Sequence, residues 1–123
     1  MPTALDAIND YYAAFSTLDL RAIVSCYCEP STTITPKGVR SAATRAALAD
    51  SMTPLVEGLR AKGYGRSEFV QPDVTMLGET DALVHGVAVR YTGAGAEMER
   101  IPLGYLMHRT ENGWKIAVLV VLS

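Results

Sequence analysis

The stretch from Leu18 to Gly38, LDLRAIVSCYCEPSTTITPKG, decides how this chain is read. Asp19 is a good helix N-cap, since its carboxylate can accept a backbone N–H of the first turn. Ile23, Val24 and Tyr27 then fall on the inward side of a short helix. Pro30 cannot continue that helix, because it lacks an N–H and its ring crowds the preceding turn. Ser31 to Thr35 is rich in β-branched residues and reads as a short strand. Pro36, Lys37 and Gly38 make a turn. Helices hand over to sheet here.

Upstream, Thr3 to about Phe15 reads as a first helix. Thr3 and Asp6 form a capping-box-like start, and Leu5, Ile8, Tyr12 and Phe15 make one apolar face. Downstream, Ser41 is expected to cap a longer helix ending near Lys62 and Gly63, with Leu48, Met52, Leu55, Val56 and Leu59 as its core stripe. Pro54 falls inside that stripe, so a kink or break is expected near Ser51.

From Ser67 the apolar period changes to two. Strands are expected at about 67–77, 81–92, 97–109 and 113–122, separated by Gly78-Glu79-Thr80, Gly93-Ala94-Gly95 and Glu111-Asn112-Gly113. Such short gaps suit hairpins and an antiparallel meander. Pro72 implies a bulge or an edge position in the first of these strands. The last strand, WKIAVLVVLS, is apolar on both faces, so both should be covered. Helices can cover one; a second copy of the chain is expected on the other.

With 123 residues the chain reads as a single domain, 1–123, large enough for a core without staples. The net charge of −2, with acids and bases interspersed, excludes the basic stripe of a nucleic-acid binder. No apolar run is long enough for a membrane span, and MPTALDAINDYY lacks the features of a signal peptide. Cys26 and Cys28 are expected as reduced thiols in a cytoplasmic protein. CxC alone offers too few ligands for a metal. No metal or cofactor is expected.

The element order, with a short strand between the second and third helices and a four-strand meander after them, resembles the nuclear transport factor 2-like superfamily. Within it the chain is most similar to the SnoaL-like and ketosteroid isomerase-like group. Tyr27, Glu29, Pro36 and Gly38 occupy the places of that group's helix-to-strand pattern, and ENGWKI at 111–116 is similar to its late Gly-x-Trp-Arg/Lys-Ile turn. The resemblance implies an α+β cone: three N-terminal helices packed on a curved, mainly antiparallel sheet. It also implies a deep apolar pocket and dimerisation through the sheet's convex face.

In isomerases of this group a carboxylate just before the proline of the short strand acts as base. Thr35 stands there instead, and a threonine hydroxyl is no base near neutral pH. A second donor is expected midway along the third long strand, where Tyr105 falls. Neither the Asp-Arg-Asp set of the hydrolases nor the Asp with two His of the dehydratases assembles. By strand parity Leu83, His85, Val87, Val89 and Tyr91 share a face, and it is taken as the inner one because its side chains are larger. Tyr105 shares an inner face with Ile101, Leu103 and Met107, which leaves His108 outside. His85 and Tyr105 are therefore the expected catalytic pair, with His85 as base or donor. Tyr12, Tyr27, Thr35, Met52, Val87 and Leu103 are the expected ligand contacts, while Arg90 and Arg100 are expected outside.

The expected function is binding of a small, largely apolar molecule in the pocket. The alternatives are a non-catalytic dimeric interaction or structural module, and an isomerase- or dehydratase-type enzyme using His85. Whether the chain is an enzyme stays open at this point, since one fold hosts many chemistries.

Overall fold

Thr3 starts the first helix with a complete capping box. Its hydroxyl accepts the Asp6 N–H at 3.1 Å, and Asp6 Oδ2 accepts the Thr3 N–H at 2.8 Å. Helix α1 runs Ala4–Ser16 and buries Ala4, Ile8, Tyr11, Tyr12 and Phe15. Full burial of one side chain the size of Ile8 contributes about 1.5–3 kcal/mol. Asp19 caps α2, Leu20–Val24, by accepting the Arg21 N–H at 3.1 Å. The computed structural model describes residues 2–122. Beyond α2 its order is β1 (Tyr27–Thr35), β2 (Gly38–Ala42), α3 (Arg45–Ala61), β3 (Tyr64–Met76), β4 (Asp81–Thr92), β5 (Glu97–Thr110) and β6 (Gly113–Val121).

Two expectations at the helix–sheet transition are corrected. Tyr27 is the first residue of β1 rather than the last of a helix, because β6 takes over the backbone: the Ile116 N–H donates to the Cys26 carbonyl at 2.9 Å. Pro30 thus lies within a strand, where the β1–β6 register shifts between Tyr27 and Thr32 and a missing N–H breaks no ladder bond. Ser41 is a strand residue and caps nothing. GVRSA carries no alternation that would mark a strand. It becomes β2 by pairing with β1 from Ser31–Ala42 to Thr35–Gly38, aided by a 3.0 Å bond between the Thr32 and Ser41 hydroxyls. Thr44 caps α3 instead, accepting the Ala47 N–H at 3.1 Å.

Helix α3 continues through Pro54 as one element, so the expected break does not occur. Pro54 and Asp50, whose carbonyl loses its donor, both face solvent, where water can replace the missing bond.

The six strands form one sheet in the order β2-β1-β6-β5-β4-β3. Among the described residues its only parallel pair is β1–β6; the others are antiparallel. Pro72 lies in edge strand β3, at a register shift between Val70 and Asp73, so both readings of that proline hold. Helix α1 lies on β3, β4 and β6, whereas α3 lies on α2, β1 and β2 and touches β3.

The parity of β5 is as expected: Leu103, Tyr105 and Met107 are buried on the inner face and His108 is exposed. The parity of β4 is the reverse of the expectation. Val84 lies directly opposite Tyr105, and residues opposite each other in an antiparallel pair share a face. Ala82, Val84 and Ala88 are therefore buried inside, while Leu83 is 42 % exposed on the outer side. The inner face takes the smaller residues because aromatic rings already occupy that space. A Cβ on Gly86 would come within 2.8 Å of Phe69 Cζ and 2.7 Å of the Val70 carbonyl oxygen. Glycine there is what lets the Phe69 ring lie against the sheet.

Candidate functional site

Between α3 and the inner face of the sheet is a cavity of about 470 Å³. Its inner wall is aromatic. Tyr11, Tyr12 and Phe15 reach it from α1, Tyr27 from the start of β1, and Tyr105 from the middle of β5. Helical spacing puts Tyr12 and Phe15 on one side of α1. Tyr11, three residues after Ile8 and four before Phe15, belongs to that side too and was missed.

The tyrosines are joined in two pairs. The Tyr11 and Tyr27 hydroxyls lie 2.8 Å apart, and those of Tyr12 and Tyr105 lie 2.7 Å apart. Edge-to-face packing locks the rings, with Tyr11 against Tyr12, Tyr27 and Tyr105, and with Phe69 against Tyr105. Burial pushes the Tyr11 phenol up to about 12, although its bond to Tyr27 works in the opposite direction. Burial also raises Tyr12, Tyr27 and Tyr105. All four are thus neutral phenols, fit to donate hydrogen bonds and not to act as bases. Each pair holds two hydroxyl protons, and the bond between its members uses only one. The second proton of each pair is available to another acceptor.

The remaining wall comes from α3 and the outer strands. Met52 and Leu55 line it from α3, which explains how Leu55 belongs to the core stripe yet is 40 % exposed. Ser31 also lines it. Ser31 is buried. No Asp, Glu, His or Lys lines the cavity among the described residues; its charged side chains are Arg40 and Arg90.

Of the expected site residues, Tyr12, Tyr27, Met52, Leu103 and Tyr105 meet at this cavity. His85, Val87 and Thr35 do not. His85 lies on the outer face, where its Nε2 is 3.0 Å from Asp73 Oδ2 and its side chain is 56 % exposed. The expected His85–Tyr105 pair is therefore not formed, since the β4–β5 register puts the two on opposite faces. Val87 shares the outer face, opposite Val70 and Pro102. Thr35 lies at the β1–β2 turn, where its hydroxyl accepts the Lys37 N–H at 3.1 Å. Arg90, expected outside, lines the cavity because the parity of β4 is reversed. Arg100 is exposed and paired with Glu97.

Burial raises both thiols, so neither Cys26 nor Cys28 is poised as a nucleophile. Among the described residues no group of three or more His, Cys, Asp or Glu could hold a metal ion, and no helix is long and apolar enough to cross a membrane.

This combination is a cystatin-like α+β fold: three helices against a six-stranded, mainly antiparallel sheet, with a cavity between the layers. Residues 4–123 match the family described as NTF2-like protein (DUF6841), and the chain belongs to that family. No match was found among curated proteins. Several solved structures share the fold. An NTF2-like protein of unknown function from Shewanella oneidensis aligns with TM-score 0.73 and 18% identity, over 95% of this chain and 93% of its own. An NTF2-like protein with a cystatin-like fold from Novosphingobium aromaticivorans aligns with TM-score 0.70 and 23% identity, over 94% and 76%. A ketosteroid isomerase-like protein from Erwinia carotovora atroseptica aligns with TM-score 0.61 and 18% identity, over 98% and 94%. At these identities the likeness speaks for the fold alone.

Proposed function

We propose that the chain is a small-molecule-binding NTF2-like domain. Its cavity takes a largely apolar molecule carrying a hydrogen-bond acceptor such as a carbonyl. The observation that carries this reading is the pair of tyrosine couples at the inner wall, each with one phenolic proton to spare beside an apolar volume of about 470 Å³. In this reading sheet and helices close as a cone around the ligand. Enzymatic proton abstraction from carbon is not part of it, since among the described residues the cavity lining offers no carboxylate or histidine as base. Two unbridged thiols fit a reducing, cytoplasmic setting.

The test is a thermal-shift screen of the wild type and Tyr105→Phe with apolar carbonyl compounds, steroids and polyketide fragments included. A ligand at 100 times its dissociation constant adds about 2.7 kcal/mol, or several degrees in a domain of this size. A wild-type shift that shrinks in Tyr105→Phe supports the reading. A broad panel without any shift, with both proteins folded, overturns it.

A second feature favours homodimerisation through the sheet. Leu83, Leu106 and Val118 are directly paired across β4, β5 and β6, and Val120 pairs with Ile34 in the neighbouring row. These rows make an outward apolar band, on which Leu83 is exposed and the others half-buried. Such a face suits a two-fold interface. A non-catalytic dimeric module would need this face and not the cavity.

A further inference from the structure

The two charged side chains of the cavity wall are both cations, and they enter from opposite parts of the sheet. Arg40 comes from edge strand β2, and Arg90 from β4. The Arg90 side chain is only 15 % exposed. Its guanidinium lies 5.5 Å from the centre of the Phe15 ring, and Nη1 donates to Glu99, whose side chain is 45 % exposed. That bond occupies one of five N–H donors. Arg40 has no ion pair and no side-chain hydrogen bond among the described residues.

A cation held against an apolar wall is costly unless its donors are used. Arg90 lines the cavity, and among the described residues its one side-chain hydrogen bond goes to the solvated carboxylate of Glu99, which leaves most of its N–H donors without a protein partner. The planar fork of a guanidinium matches a carboxylate in two parallel hydrogen bonds, and such charge-assisted bonds are about twice as strong as neutral ones. Among the described residues no acidic side chain on the lining competes for them.

Building on the small-molecule reading above, we infer that the ligand is an amphipathic carboxylate. Its apolar body fills the cavity, its anionic head binds Arg90, and Arg40 adds positive field from the other side. The tyrosine pairs then serve a second acceptor on the body. This assigns Arg90 as the residue that selects acids over their neutral counterparts.

Calorimetric titration of the purified chain with matched probes tests this: decanoate against decanamide, and 2-naphthoate against 2-naphthamide. The expected result is that the wild type binds each carboxylate about ten-fold or more tightly than its amide, the scale of one charge-assisted pair. Arg90→Met should abolish the preference by bringing each carboxylate down to the level of its amide, while Arg40→Ala should reduce it partially. Should Arg90→Met fold poorly through its stranded Glu99, Arg90→Met with Glu99→Gln makes the same test with neither charge present. Equal binding of acid and amide by the wild type, or a preference that survives Arg90→Met, overturns this inference and leaves the cavity reading standing. If none of the four probes binds, this inference is overturned, and the cavity reading is then decided by the broader thermal-shift panel.

Discussion

The hydroxyls of Tyr12 and Tyr105 lie 2.7 Å apart, a buried bond between positions 93 residues apart in the chain. It ties the first helix to the fifth strand at the inner wall of the cavity. Removing one partner leaves the other hydroxyl short of a neighbour. Tyr12→Phe or Tyr105→Phe should each cost about 1–2 kcal/mol in urea denaturation. The double variant should cost less than the sum, because both changes remove the same bond. Strict additivity would show that the bond contributes nothing.

Stability should fall in alkali in a defined direction. The folded Tyr11 phenol titrates at about 12, above its usual 10.0, because burial disfavours the phenolate. The unfolded chain therefore loses this proton first. The stabilisation is fully present below about pH 10 and is lost as pH rises through the folded value. Denaturation midpoints from neutrality to strong alkali should be level and then drop, with tyrosinate absorbance rising as the chain unfolds. Tyrosinate absorbance from Tyr11 near pH 10 in the folded protein would contradict this assignment.

His85→Ala should change little. The imidazole and its partner Asp73 are both largely exposed, and such pairs contribute about 0–1 kcal/mol. Any ligand found by the thermal-shift screen should bind the variant with unchanged affinity. A ligand that loses affinity in His85→Ala would mean that it binds on the outer face.

Gly86→Ala should be more damaging than its size implies. The added methyl meets the Val70 carbonyl oxygen at 2.7 Å, and that oxygen belongs to backbone held at a register shift. The expected loss is about 1–3 kcal/mol, read as a lower thermal midpoint. Phe69, which packs on Tyr12 and Tyr105, should move with it and weaken ligand binding.

Light scattering should report a dimer for the wild type and a monomer for Leu106→Glu, which sets a charge amid the Leu83, Leu106 and Val118 row. A wild-type monomer at high concentration would rule out the sheet-face interface.

Local signals were legible in the sequence. Thr3 with Asp6, Asp19 before its helix, the change of period at Ser67, and Pro72 at an edge bulge each act within a few residues of chain. So did the inner row Ile101, Leu103, Tyr105 and Met107, because only that face of β5 is consistently large and apolar. What depended on a distant partner was not legible. GVRSA became a strand because β1 lies beside it, and Tyr27 left its helix because β6 captured the backbone. The face of β4 shows this most sharply. Read alone, the strand offers Leu83, His85, Val87 and Val89 as the larger side and hence as the inside. Only the pairing of Val84 with Tyr105, and the Phe69 ring over Gly86, turn the small side inward. That inversion removes His85 from the cavity and brings in Arg90, since a strand's side chains change faces as one set. Sequence by itself determined the three helices, the short strand after Pro30 and the four long strands in their order, and it put Tyr12, Tyr27 and Tyr105 at the wall. Tertiary register decided which charge the cavity holds.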